Sequence, residues 1–382
     1  MKIALVHSFY TSAQPSGENT VVEAQAEALR RAGHEVLLVA RHTDTEASKP
    51  LYKARALLTA AHLTGPDPRP ALEEFGPDVV HVHNLFPNWG TSWLHQWGPQ
   101  TVATLHNYRT ICAGATLWRD GNDCTECLDH GSIRAVKNKC YRNSTIATLP
   151  LAWSTRSRGT KSPVLSNSRA LVVLNSAAYG KFCSLFPHSD VNLIPNFAAT
   201  MGDQPRIDGH GNWVYVGRLV AEKGISWLLE NWPADRQLDI IGAGPLADTV
   251  ALAARRQPGR FQFHGALPGH AARQAITNAC GLVLPSLWSE GIPTVALEAL
   301  GSGTPIVVSD QCASADELTA GGGGAVFTLT HGNGSLKTAL ANVERDKDAR
   351  TRAHATYQQQ YSEEAWIQRI SDVYRRIRCA AG

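Results

Sequence analysis

The sequence contains no apolar run near the roughly 20 residues that a membrane-crossing helix needs. Its opening, Met1 to His7, reads as a strand and lacks the apolar stretch and cleavage site of a leader peptide. A cytoplasmic protein is therefore expected. Charge of one sign is also lacking: 36 Lys and Arg stand against 33 Asp and Glu, a formal charge of +3. Bulk charge thus names no partner and gives no reason to invoke nucleic acid. Cysteine is scarce, eight in 382 residues, which argues against a disulfide framework and makes reduced thiols the default. What the chain does have is apolar material, 43% hydrophobic against 18% charged residues. That is enough for large cores and unlike a disordered chain. The length favours two domains.

The first forty residues alternate cleanly. An apolar strand, Lys2 to His7, gives way to a polar loop with Gly17, an amphipathic helix around Val21 to Ala32, Gly33-His34, and a strand from Val36 to Ala40. This is a βαβ unit, and parallel strands follow from it. Further short buried strands are expected at Val79 to His83, Thr101 to Leu105 and Leu171 to Leu174. A second set runs through Trp213 to Val216, Leu238 to Ile241, Gln262 to His264, Gly281 to Pro285 and Ile306 to Ser309. The fold class is α/β, with two doubly wound, Rossmann-like parallel-sheet domains and an expected cleft between them. The join falls within Leu193 to Gly211, where Pro195, Asn196, Pro205 and Gly209 break any periodicity. Residues 1–195 form the first expected domain, with a cysteine-rich insertion at 108–145, and 196–361 form the second. Residues 362–382 are expected to form an amphipathic helix packing back toward the first domain, with Trp366, Ile370, Val373 and Ile377 on one stripe.

Two segments carry the chemistry. Ser289 to Glu298 follows the strand Gly281 to Pro285 and opens a helix. Pro293 suits its first turn, so the free backbone N–H groups there can hold an anion. Glu290 precedes that turn and Glu298 follows about a turn and a half later, so two carboxylates flank the site. Carboxylates accept from sugar hydroxyls, which suits a sugar nucleotide. The competing account makes Glu290 a helix cap and leaves Glu298 solvated. In the second segment, a strand ends at Gly217 and the cations Arg218 and Lys223 follow five residues apart. Both can converge on a diphosphate and stabilise a leaving nucleoside diphosphate without a metal; otherwise they are solvated surface charges.

Together these segments resemble the retaining GT-B glycosyltransferases of family 4. The resemblance covers nearly the whole chain. It takes in Ser16-Gly17-Glu18-Asn19, Gly33-His34-Glu35-Val36, His81-Val82-His83-Asn84, Thr104-Leu105-His106-Asn107 and Ile194-Pro195-Asn196. In the second half it includes Arg218, Lys223, Gly242-Ala243-Gly244-Pro245, Glu290 to Glu298 and Gly301-Ser302-Gly303-Thr304-Pro305. The resemblance implies a nucleoside-diphosphate sugar donor, UDP- or GDP-linked, with its diphosphate on Arg218 and Lys223. It also places the sugar hydroxyls on Glu290, the ribose on Glu298, and phosphate and sugar on the backbone of Gly291, Ile292, Pro293 and Thr294. Gly17 would let the first domain's backbone approach the diphosphate. His106 matches the family's active-site histidine, while Asn84 and Asn107 fall on the acceptor side. Same-face transfer with retention would follow, the departing phosphate taking the acceptor's proton. The implied acceptor is a saccharide, a lipid-linked sugar or a small molecule, in cell-surface polysaccharide or glycolipid synthesis or alternatively in secondary metabolism.

No metal is expected in catalysis. The Asp-x-Asp spacing occurs only at Asp346-Lys347-Asp348, within a charged helical run. Cys112, Cys124, Cys127 and Cys140 fall in one loop-rich stretch, where structural zinc and reduced thiols both remain open. Gly131 to Lys161 carries seven cations and no Asp or Glu, which suits either peripheral contact with an anionic membrane or an ordinary solvated face lacking an apolar anchor. Trp89, Trp93 and Trp97 recur at helical spacing, with core packing expected and stacking on a sugar the lesser alternative. Gly242-Ala243-Gly244 also fits a dinucleotide fingerprint, but Arg255 to His270 lacks the acid a nicotinamide dehydrogenase needs there. A non-catalytic sugar-nucleotide-binding module is the third alternative.

Overall fold

The computed structural model describes residues 1–12, 17–198, 211–288 and 291–381. The chain divides into two compact units. One comprises Met1–Arg119, Cys124–Ile194 and Ile367–Gly382, and the other Asp120–Asp123 and Pro195–Trp366.

The amino-terminal unit is built on six parallel strands: β1 (Lys2–Phe9), β2 (Glu35–His42), β3 (Val79–Asn84), β4 (Thr101–Leu105), β5 (Ala170–Val173) and β6 (Asp190–Leu193), in the order β2-β1-β3-β4-β5-β6. Ile3, Ala4, Leu5 and Val6 are all fully buried. Such a continuous apolar run, without alternation, marks a central strand covered on both faces. The helix Gly17–Arg31 returns the chain from β1 to β2 and buries Val21, Val22, Ala26 and Leu29. The carboxyl-terminal helix, Glu363–Ala381, adds Ile370, Val373, Tyr374 and Ile377 to this unit's interior. There the Tyr374 hydroxyl lies 2.6 Å from His81 Nδ1, and His81 Nε2 lies 2.7 Å from Thr104 Oγ1.

The carboxyl-terminal unit has β7 (Trp213–Val216), β8 (Leu238–Ile241), β9 (Phe261–Gly265), β10 (Gly281–Leu284), β11 (Ile306–Ser309) and β12 (Gly324–Phe327), in the order β9-β8-β7-β10-β11-β12, all parallel. Strand order reverses between β7 and β10. In doubly wound sheets, ligands bind outside the carboxyl ends of the strands at that reversal.

Three local expectations need correction. β6 and β12 were not expected as strands. Both lie at sheet edges and are only four residues long; β6, Asp-Val-Asn-Leu, mixes polar with apolar residues and β12, Gly-Ala-Val-Phe, opens on glycine, so neither run stands out. The three tryptophans do not share a helix face, because the helix covers only Leu94–Trp97. Trp89 donates to the His7 carbonyl and Trp93 to the Gly90 carbonyl, and both rings are buried. Pro293 stands just before the helix Thr294–Gly301, with ψ 130°, and is not its first helical residue.

Candidate functional site

In the carboxyl-terminal unit, the loops leaving β7 and β10 meet backbone to backbone. The amide of Leu287 donates to the Glu222 carbonyl at 2.9 Å. Gly224 has φ 73°, and a Cβ there would stand 1.8 Å from the Pro285 carbonyl oxygen. Glycine therefore permits both the left-handed turn and the close approach. This places the Arg218 to Lys223 segment directly against the start of the loop that runs toward Glu290. Arg218 is exposed and lies 3.7 Å from Glu222, while the Tyr215 hydroxyl fixes its carbonyl at 2.9 Å. Beyond the loop, Ile292 and Pro293 are buried, Gly291 and Thr294 partly so, and the helix runs to Gly301. Glu298 is half-buried. Burial pushes its carboxyl up, and Arg273, 3.7 Å away, offsets part of that rise. The solvated alternative for Glu298 therefore does not describe it. Glu290 and Ser289 lie outside the described residues, as does Ser16.

Gly242 and Gly244 serve the same junction. A Cβ at Gly242 would lie 1.9 Å from the Gly217 carbonyl oxygen. With that space open, Leu219 donates to the Ala243 carbonyl at 2.9 Å and Leu246 donates to the Leu219 carbonyl at 3.0 Å. Packing of one loop on the other thus accounts for the glycine spacing that also fits a dinucleotide fingerprint.

In the amino-terminal unit, histidines gather at the ends of β1, β3 and β4. His83 Nδ1 and His106 Nε2 lie 3.0 Å apart, and His7 Nε2 lies 3.1 Å from Asn19 Oδ1. Burial lowers His106 to about 3 and His7 to about 4, so both are neutral near pH 7 and exchange hydrogen bonds without carrying charge. Asn84 donates to the Tyr10 hydroxyl and accepts from the Phe86 amide. Asn107 accepts from the Arg109 amide, which makes it a turn-former as much as a lining group. A cavity in this unit is lined by Glu18, His83, Asn84, His106, Asn107 and Arg109. Gly17 opens the helix that carries Glu18.

Two of these lining groups were given no role from sequence. Glu18 entered only as part of a motif and Arg109 not at all. Glu18 Oε1 and Arg109 Nε are buried without a hydrogen-bond partner among the described residues. Burial lifts the Glu18 carboxyl to about 7 against the pull of Arg109 and Asn84. The Arg109 guanidinium lies 4.4 Å from the Phe86 ring and 5.4 Å from the Tyr141 ring. The signal available was an acid in the first turn of the helix that follows the uncharged loop after β1. Its burial comes from tertiary structure, which brings Arg109 and Asn84 to it from distant segments of the chain.

Comparison with known proteins decides the family. Residues 15–198 match the model "Glycosyltransferase Family 4", and residues 211–345 match "Glycosyl transferases group 1". This chain is a GT-B glycosyltransferase of family 4. It is 24% identical over 379 residues to the phosphatidyl-myo-inositol mannosyltransferase of Mycolicibacterium smegmatis, covering 91% of this chain and 86% of that one. A shorter stretch of 100 residues is 39% identical to TuaC of Bacillus subtilis, a protein named for teichuronic acid biosynthesis, and spans 25% of this chain and 24% of that one. Among solved structures, sucrose-phosphate synthase from Thermosynechococcus elongatus superposes with TM-score 0.66 at 17% identity, covering 99% of each chain. Anabaena HepE in complex with UDP-glucose gives 0.59 at 14% identity, over 98% of this chain and 100% of that one.

Two further features of the glycosyltransferase concern residues that can bind metals. Asp346 follows the helix Gly332–Arg345 and is engaged by Arg352, and Asp348 precedes the helix Ala349–Gln360. The pair therefore sits between helices, not at a strand end. Cys112, Cys124, Cys127 and Cys140 are partly buried and in no disulfide, and burial, reinforced by the other three, pushes Cys127 up to about 11. Among the described residues, no three His, Cys, Asp or Glu side chains are arranged to hold a metal ion.

Proposed function

We propose that this glycosyltransferase moves a sugar from a nucleoside-diphosphate donor to an acceptor hydroxyl with retention and without a catalytic metal, in the synthesis of a cell-surface polysaccharide or glycolipid. The observation that carries the reading is the junction of the β7 and β10 loops at the sheet's reversal. It seats the Arg218 to Lys223 segment beside the stretch that leads to the Thr294 helix. Arg218 and Lys223 bind the diphosphate and stabilise charge on the departing phosphate, which accepts the acceptor's proton. Glu290 and the Gly291 to Thr294 backbone hold the sugar, and Glu298 holds the ribose. His106, held neutral, supplies a hydrogen bond at the reacting sugar, and the cavity beside it receives the acceptor. The cysteines act as structural thiols. UDP-glucose is the ligand named for HepE, and a UDP-linked donor is the first to try.

The test is a thermal-shift screen with UDP-, GDP-, dTDP- and ADP-sugars, because ligand binding to the native state raises stability by mass action. One donor family should raise Tm, Lys223→Ala should erase the rise, and Glu290→Ala should abolish transfer with the fold intact. Transfer should persist in EDTA. A Lys223→Ala variant shifted as fully as the parent removes the site assignment, and loss of activity in EDTA that Mg²⁺ restores removes the metal-free mechanism.

A further inference from the structure

The stretch from Gly131 to Lys161, rich in cations and free of acids, lacked an apolar anchor when read as sequence. The folded chain supplies one. The helix Thr145–Ser154 turns Ile146, Leu149 and Trp153 outward, 75%, 56% and 51% exposed. At positions i, i+3 and i+7 these form one stripe. Its opposite side buries Thr148, Leu151 and Ala152, and the latter two share a small core with Ala60 and Ala135. Those two alanines belong to the helices Tyr52–Ala60 and Ile133–Lys137. These neighbours also expose apolar side chains, Leu58 and Ile133. A surface helix ordinarily turns its large apolar residues inward, so three packed helices that also present them outward form a face made for a partner.

The charges around this face select the partner. The helix Thr145–Ser154 carries no charged residue. Arg142 precedes it, Arg156, Arg158 and Lys161 follow it, and Arg134, Lys137 and Lys139 lie on or just after the neighbouring helix. None of these seven forms an ion pair among the described residues. The Arg156 guanidinium sits 4.2 Å from the Trp153 ring centre. An indole and aliphatic side chains edged by unpaired cations is the composition of an element lying in a lipid interface. Ten residues rise only about 15 Å, and among the described residues no helix is long and apolar enough to cross a membrane.

We propose that this face docks the amino-terminal unit on an anionic lipid bilayer, with Ile146, Leu149 and Trp153 entering the interface and the flanking cations meeting lipid phosphates. The same helices contribute Thr59, Leu151 and Ser154 to the wall of the cavity that holds Glu18 and His106. A docked molecule therefore keeps that cavity close to the headgroups. The docking stands apart from the transfer chemistry and is read without any substrate.

The test is cosedimentation of the full chain with vesicles of phosphatidylcholine alone or mixed with phosphatidylglycerol, alongside light scattering. Binding to the mixed vesicles should exceed binding to neutral ones by about tenfold and fall as salt screens the cations. The triple variant Ile146→Ser, Leu149→Ser, Trp153→Ser should lose about tenfold in binding at unchanged Tm, since these side chains are exposed. A second variant, Arg156→Gln, Arg158→Gln, Lys161→Gln, should lose most of the preference for the anionic vesicles. Equal recovery on both vesicle types, undiminished binding by the triple variant, or a concentration-dependent dimer that the triple variant abolishes would each overturn the proposal.

Discussion

Glu18 shows how far one side chain can depart from its ordinary chemistry. Its carboxyl is lifted to about 7 by burial, so the folded state holds a proton that the unfolded chain releases near pH 4.5. Native protein then binds more protons than unfolded protein between those values, and this group's contribution to stability falls as pH rises from about 4.5 to 7 and is constant above. Glu18→Gln keeps the shape of the protonated acid and removes the titration. The variant should therefore melt higher than the parent at pH 8 and level with it at pH 5. Paired thermal melts at the two pH values check this, and a difference that does not change with pH means the acid is ionised throughout. The same group bears on function, because an acid poised near neutrality and lacking a partner on one oxygen can accept from an acceptor hydroxyl in the cavity.

Among elements, the loops that end strands matter more than the strands themselves. Gly224→Ala would set a Cβ against the Pro285 carbonyl oxygen at a φ of 73°. The β10 loop must then move, at a cost on the order of 2 kcal/mol or more. Tm should fall, and donor affinity should fall further than it does for an exposed substitution elsewhere in the unit. Titration calorimetry with the donor checks the second part, and unchanged affinity would separate the junction from the donor site. The central strands were legible because full burial writes an uninterrupted apolar run, as in Ile3 to Val6. The strands β6 and β12 were not, because four residues, Asp-Val-Asn-Leu in one and Gly-Ala-Val-Phe opening on glycine in the other, make too short a run to stand out. Among the loops, the cations Arg218 and Lys223 stand out in the sequence by type and spacing, and their part in donor binding is the proposal made above. The roles of Gly224 and Gly242 were not legible, since the close approach they allow joins segments far apart in sequence. The tryptophans misled for a related reason: helical spacing was present, but Trp89 and Trp93 bond to backbone carbonyls in turns instead of continuing a helix.

At the scale of the whole molecule, five histidines whose charged forms are disfavoured by desolvation set the response to acid among the described residues. His7 and His62 are lowered to about 4, His81 and His106 to about 3, and His83 well below its ordinary value, in each case first by burial. Each folded-state value lies beneath the unfolded value of 6.5, so each contributes stability that is fully present above 6.5 and lost as pH falls toward 4. Between 6.5 and 4.5, Glu18 works in the opposite direction. Five groups oppose one, and at about 1.4 kcal/mol per pH unit for each group the net slope approaches about 5 kcal/mol per pH unit. A fold with typical stability, about 5–15 kcal/mol, cannot withstand that slope for more than two or three units. Urea midpoints should hold nearly level between pH 8 and 6.5 and then drop steeply, with unfolding in buffer alone by about pH 4. All five belong to the amino-terminal unit, so its tertiary signal should vanish at a higher pH than that of the carboxyl-terminal unit. A level urea midpoint from pH 7 to 5 would show instead that the histidines keep access to water and can charge in place, and neutral hydrogen bonding at His106 would go with it.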